Sequence, residues 1–153
     1  MFLATCALML VAGSVAVAWG SDAAPPARDL ARESRSVKAV CARCHNLQIV
    51  MDTPMSFDAW HDTVQNMMDR GATGTDQQFA DVMDYLHRTM TTIDVNTADA
   101  DELQIVLRVP EAAAQAILAR RSTQKFTSVA DLESVPGVDA SAVEAKARLI
   151  FFK

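Results

Sequence analysis

Val40–Leu47 reads VCARCHNL. Two cysteines stand three positions apart and a histidine follows directly. Three chemistries use such a pair, and each implies a different fold. A zinc site needs two further Cys or His ligands at finger-like spacing, and His61 and His87 stand alone in the sequence. A thioredoxin-type dithiol sits where a strand meets a helix in a βαβ unit. The third, Cys-x-x-Cys-His, anchors a c-type haem: each thiol adds to one vinyl group, and the histidine becomes the proximal iron ligand. The surrounding periodicity decides among them.

Working outward from the motif, the mature chain shows helices throughout. A first helix is expected from about Asp29 to Cys44, with Leu30, Val37, Val40, Cys41 and Cys44 as its apolar stripe. A second covers Ser56 to Asp69, with Phe57, Trp60, Val64 and Met67 on one face, and stops at the breaker-rich RGATG. A third starts at Thr75, where Thr75-x-x-Gln78 forms a capping box, and carries Phe79, Val82, Met83, Leu86 and Met90. Residues 91–95 break the pattern and form a junction. Two short helical pairs follow. Asn96 and Thr97 are expected to cap a helix with Leu103, Val106 and Leu107, and Pro110 opens the next one through Arg121. Ser128 caps a helix to Ser134, PGVD turns, and Asp139 caps a last helix with Val143, Ala147 and Ile150. No segment alternates with period two. The expected fold class is all-α: residues 1–20 a signal segment, 21–28 a linker, 29–90 a compact domain around the motif, and 94–153 a second domain of paired helical hairpins.

Composition narrows the compartment and the partners. The 153 residues carry a net charge of −5, which offers no electrostatic footprint for nucleic acid or an anionic membrane. The opening MFLATCALMLVAGSVAVA is uncharged and ends in Ala16-Val17-Ala18, the h-region and A-x-A site of a secretory signal, though a basic n-region is missing. Its length is also close to the ~20 residues of a single membrane span. Cys6 falls inside that segment, so cleavage leaves Cys41 and Cys44 as the mature cysteines. An exported, periplasmic location suits haem attachment and leaves no disulfide framework.

A haem c needs a second axial ligand, and methionine there gives a six-coordinate electron carrier, whereas an open position binds small ligands. Taking Trp60 as zero and about 100° per residue, Val64 falls at about 40° and Met67 at about −20°, so both point with Trp60 into the core. Met68, at about 80°, lies at the margin. Met67 is therefore the leading candidate, with Met68, Met55, His61 and His87 as alternatives. No nucleophile, base and orienting group are arranged for catalysis by the polypeptide itself; His61 and His87 read as isolated surface residues.

CARCH, Trp60-x-x-x-Val64-x-x-Met67, Arg70-Gly71-Ala72 and Tyr85-Leu86 resemble the small monohaem cytochromes c over roughly residues 36–90, above all the compact type that serves as haem subunit of periplasmic dehydrogenases. The resemblance implies one covalent haem c on Cys41 and Cys44, His45 and Met67 as axial ligands, and one-electron transfer between periplasmic partners. Val95-Asn96-Thr97-Ala98, Glu102-Leu103, Ala116-Ile117, Arg120, Phe126, Asp131-Leu132 and Val135-Pro136-Gly137-Val138 resemble the paired helix-hairpin-helix domain of bacterial competence DNA receptors. The same domain type occurs in a luminal subunit of photosystem II, where it binds protein. Such hairpins hold phosphate on backbone N–H groups freed by glycines. Here Arg108 and Pro110 occupy the first pair of glycine positions, and Asp139 stands beside Gly137 in the second. Residues 91–153 hold nine acidic and seven basic residues, net −2. Phosphate binding then lacks its main driving force, and Arg120, Arg121 and Lys125 read as a solvated helix end. The expectation is an electron carrier, or the haem subunit of a larger oxidoreductase complex, docked onto a protein partner by its hairpin tail. An exported DNA-binding protein with an attached haem, and a haem-based sensor, are the alternatives.

Overall fold

The computed structural model describes residues 29–153; the expected signal and linker lie outside them. Among the described residues no helix is long and apolar enough to cross a membrane. The chain is mostly helical, as its periodicity predicts. Helix α1 spans Leu30–Cys41, α2 Leu47–Met51, α3 Phe57–Asp69 and α4 Asp76–Thr89. After the two-residue strand β1 (Ile93–Asp94) come α5 (Ala100–Leu107), α6 (Glu111–Arg121), α7 (Val129–Glu133) and α8 (Ala140–Ala145). A short 3-10 turn, Ala147–Leu149, leads into strand β2, Ile150–Phe151.

Local chemistry sets most helix starts. The Ser56, Ser128 and Asp139 side chains each accept from the first turn they precede, and both halves of the Thr75–Gln78 capping box are made. Each satisfies backbone donors that the helix leaves unpaired.

Two cores result. Val37, Val40, Trp60, Val82, Leu86 and Met90 form the first, among α1, α3 and α4. The second gathers Val95, Leu103, Val106, Ile117, Phe126, Leu132 and Val143 from the tail. Polar groups lock α1 to α4 beneath the first core. Fully buried Glu33 pairs with Arg88. Asp81 accepts from Ser36 at 2.9 Å, Gln77 at 2.9 Å and Arg32 at 3.2 Å. Burial alone would raise the Asp81 pKa, but these hydrogen bonds and the Arg32 charge outweigh it and hold the carboxyl below its ordinary range. Within the first core the Trp60 indole donates to the Met90 carbonyl at 3.3 Å. The two cores meet at a seam. Phe57 reaches from α3 to pack on the second core. Lys146 Nζ donates to the carbonyls of His87, in α4, at 2.9 Å and of Val106, in α5, at 2.6 Å.

Several expectations need correction. The first helix ends at Cys41, and Ala42–Cys44 form a turn, which frees Cys44 and His45 from the helix face. Asp99, not Asn96 or Thr97, caps α5. Asn96 instead clamps the tail: its side chain accepts from Phe126 N at 2.9 Å and donates to the carbonyls of Phe126 and Lys153. The last helix stops at Ala145, and Ile150 leaves it to pair in parallel with Ile93. His87 is buried, not a surface residue; its ring stacks on Phe57 at 4.4 Å and lies 5.0 Å from that of His61. Burial, then the His61 and Lys146 charges, lower the His87 pKa to about 4, so this imidazole is neutral at physiological pH.

Candidate functional site

The C-terminal end of α1, the short helix α2, and the inner faces of α3 and α4 enclose a cavity of about 520 Å³. Helix α2 exists because Asn46 caps it, accepting from Gln48 N at 2.9 Å; it turns the chain back over the cavity mouth. Cys41, Cys44, His45 and Met67 all line this one space. Cys41 is half-buried, and burial pushes its thiol pKa up. Cys44 and His45 are exposed at the mouth. The two cysteines are free thiols, not a disulfide. The remaining walls are almost entirely apolar, including Trp60, Val64, Phe79 and Leu86.

The other candidate ligands separate clearly. Met68 is 40% exposed and absent from the lining. His61 and His87 do not reach the cavity; they stack with Phe57 behind α3. Met55 does line it, but its thioether accepts from Thr63 Oγ1 at 3.6 Å. No hydrogen bond to the Met67 sulfur is found among the described residues. Of the candidates, only Met67 is both in the cavity and without such a bond.

Two features of the lining had no role in the sequence reading. Arg70, quoted there only within a resemblance, is the only Lys or Arg among the described lining residues. Ile49, 62% exposed, sits at the mouth. Helix α2 was the missing signal: a cap at Asn46 followed by LQIVM marks it, but five residues are too few for a period to show.

The cavity suits a largely apolar ligand or cofactor of small-molecule size. It has the volume of a small-molecule pocket, ~300–1,000 Å³. Two thiols and an imidazole share one end of its lining in sequence, and a thioether comes from a separate helix. In this donor set the imidazole and the thioether are the pair found in six-coordinate c-type centres.

The hairpins tell a different story about phosphate. Arg108 adopts the left-handed conformation, φ 58°, at the turn between α5 and α6. It is the only non-glycine among the described residues with positive φ, which fits a position where the family places glycine. Pro110 then precedes α6 and has no N–H to give. In the second turn Gly137 keeps its left-handed φ of 87°, and a Cβ there would lie 3.2 Å from the Ala113 Cβ. This close approach packs one hairpin against the other. Asp139 occupies the neighbouring helix start itself, its carboxylate accepting from Ser141 N and Ala142 N at 2.9 and 3.3 Å. The Ser141 hydroxyl and these amides hold its pKa down, so the site carries a negative charge of its own. Arg120 and Arg121 are likewise engaged, which corrects their reading as a solvated helix end. Arg120 donates to the Asp131 carbonyl and the Ser134 hydroxyl and covers the Phe126 ring at 4.6 Å. Arg121 donates to the carbonyls of Val95 and Ala98.

Residues 89–150 match the family model of the helix-hairpin-helix motif. Neither a curated protein nor a solved structure matches the chain. Helix-hairpin-helix motifs serve DNA binding or protein interaction, and the match covers the tail, not the cavity.

Proposed function

We propose that this chain is an exported monohaem electron-transfer protein, anchored through its helix-hairpin-helix tail to a larger periplasmic redox complex. The observation that carries the reading is the convergence of Cys41, Cys44, His45 and Met67 on one apolar cavity of about 520 Å³. A haem bound there supplies a reversible Fe(III)/Fe(II) couple. The polypeptide's part is attachment, ligation and exclusion of water. The thiols of Cys41 and Cys44 would hold the haem covalently, each S–H adding across one vinyl group with no leaving group. His45 and Met67 would ligate its iron, and ligation by an imidazole and a thioether would favour electron transfer over the binding of small ligands. Trp60, Phe79 and Leu86 line the space with apolar surface and exclude water. Arg70 would balance the carboxylates of the porphyrin.

The tail's hairpins favour protein over DNA as partner. Pro110 and Asp139 remove the backbone donors that phosphate needs, and Arg120 and Arg121 are spent internally. An optical spectrum of the haem-loaded chain, beside the Met67→Ala variant, tests the reading. The methionine–iron band of the oxidised form should be present in the native chain and absent in the variant. Ready binding of carbon monoxide by the native reduced chain, with no such band, would replace electron transfer by sensing or ligand chemistry. Retardation of duplex DNA at low salt would reinstate the nucleic-acid reading of the tail.

A further inference from the structure

A second concavity, of about 330 Å³, lies at the seam where α4, α5 and the end of α8 meet. Arg88, Arg108, Lys146 and Arg148 line it, and no acidic residue does. The gathering is unexpected in a chain whose 19 acidic residues outnumber its 14 basic ones. We propose that this cleft binds a small, multiply charged oxyanion, held by Arg108, Arg148 and Lys146 at the junction of the two halves.

Three observations point there. Three of the four cations have no acidic partner among the described residues. Arg88 is paired with Glu33 and Lys146 is bonded to two carbonyls, but neither Arg108 nor Arg148 makes an ion pair among the described residues. The cations also act on one another. Burial first, then the charges of Arg108 and Arg88, lower the Lys146 pKa to about 7, a repulsion that a bound anion would relieve. Finally, Arg108 sits in a left-handed turn at φ 58°, a conformation that glycine would adopt without strain. A strained backbone that presents a cation to a cleft is the pattern of a ligand clamp. The rest of the lining is apolar apart from Thr89, so the cations, not neutral polar groups, would carry the recognition. Arg108 and Arg148 can each offer a planar fork of donors to an oxyanion.

Titration calorimetry of the haem-loaded chain with inorganic pyrophosphate, at about 0.1 M salt to screen weak surface association, tests the proposal. Saturable one-to-one binding is expected. Arg108→Ala and Arg148→Ala should each weaken it by about tenfold or more, the loss of one charge-assisted contact. Arg108→Gly is the control for folding: it deletes the cation while relieving the backbone strain, so weaker binding by a fully folded Arg108→Gly chain supports the site. Absence of saturation, or equal affinity in all three variants, would overturn it. So would duplex DNA that binds through Arg108 and Arg148 and is displaced by pyrophosphate, because the cleft would then be a nucleic-acid contact.

Discussion

Lys146→Met should change how stability depends on pH more than it changes stability itself. Lys146 is 9% exposed, and its ammonium bridges two helix-end carbonyls at the seam. Its pKa falls from 10.5 to about 7 on folding, first through burial and then through Arg108 and Arg88. Below pH 7 both folded and unfolded chains hold the proton, and this group contributes no slope. Between about 7 and 10.5 the unfolded chain holds a proton that the folded chain lacks, so native stability rises with pH. At about 1.4 kcal/mol per pK unit the full rise is about 5 kcal/mol, of which about 2.5 kcal/mol falls between pH 7 and 9. His87 beside it does not mask it: with a pKa of about 4, that imidazole is neutral across the window. The variant lacks this slope. At pH 7 it also escapes the cost of a buried charge, but it leaves the carbonyls of His87 and Val106 without a donor, at about 1–3 kcal/mol each. The two effects nearly cancel, so absolute stability at one pH decides nothing. Urea unfolding followed by far-ultraviolet circular dichroism, in phosphate-free buffers at pH 7, 8 and 9, measures the difference between the two proteins. A difference that stays constant within about 0.5 kcal/mol over that range would refute the desolvated-lysine reasoning.

Arg108→Gly should raise stability by about 0.5–1 kcal/mol, seen as a higher urea midpoint at unchanged slope, because a left-handed residue costs more as arginine than as glycine. Glu33→Gln should lower stability by removing the buried carboxylate that pairs with Arg88; thermal unfolding of the double variant Glu33→Leu with Arg88→Leu should recover most of that loss. Asn96→Ala should cost about 2–3 kcal/mol, since the Phe126 N–H and carbonyl lose their partner, while the Lys153 carbonyl keeps Lys125. Hydrogen exchange should show the Phe126 amide losing its protection first.

The features legible in the sequence are those whose causes lie within a few residues. Ser56, Thr75, Ser128 and Asp139 act on amides two or three positions away, so their spacing alone reveals them. The inward face of Met67 follows from its seven-residue offset from Trp60 along one helix. Arg108 and Pro110 betray the altered hairpin by occupying positions where glycine is expected, and the left-handed φ of Arg108 agrees. What the sequence could not show depends on partners far along the chain. Asn96 looks like a cap because asparagine favours caps, yet its partners are 30 and 57 residues on. Arg121 looks solvated at a helix end, yet it reaches carbonyls at 95 and 98. Strand β2 takes only two residues, too few to show a period, and exists because Ile93 is available beside it.

The same distinction bears on what the tail can contact. A phosphate site made of backbone amides is a local device, so its loss at Pro110 and Asp139 is visible in both sequence and structure. A cationic cleft made of side chains is not local: Arg88 comes from α4, Arg108 from the first hairpin, and Lys146 and Arg148 from beyond α8. It forms only when the two halves are packed together. Whatever occupies it therefore binds the packed arrangement and not the tail alone, and it stabilises that arrangement by its own binding free energy. Thermal unfolding of the haem-loaded chain should accordingly shift upward with pyrophosphate and remain unmoved in the Arg108→Ala, Arg148→Ala double variant.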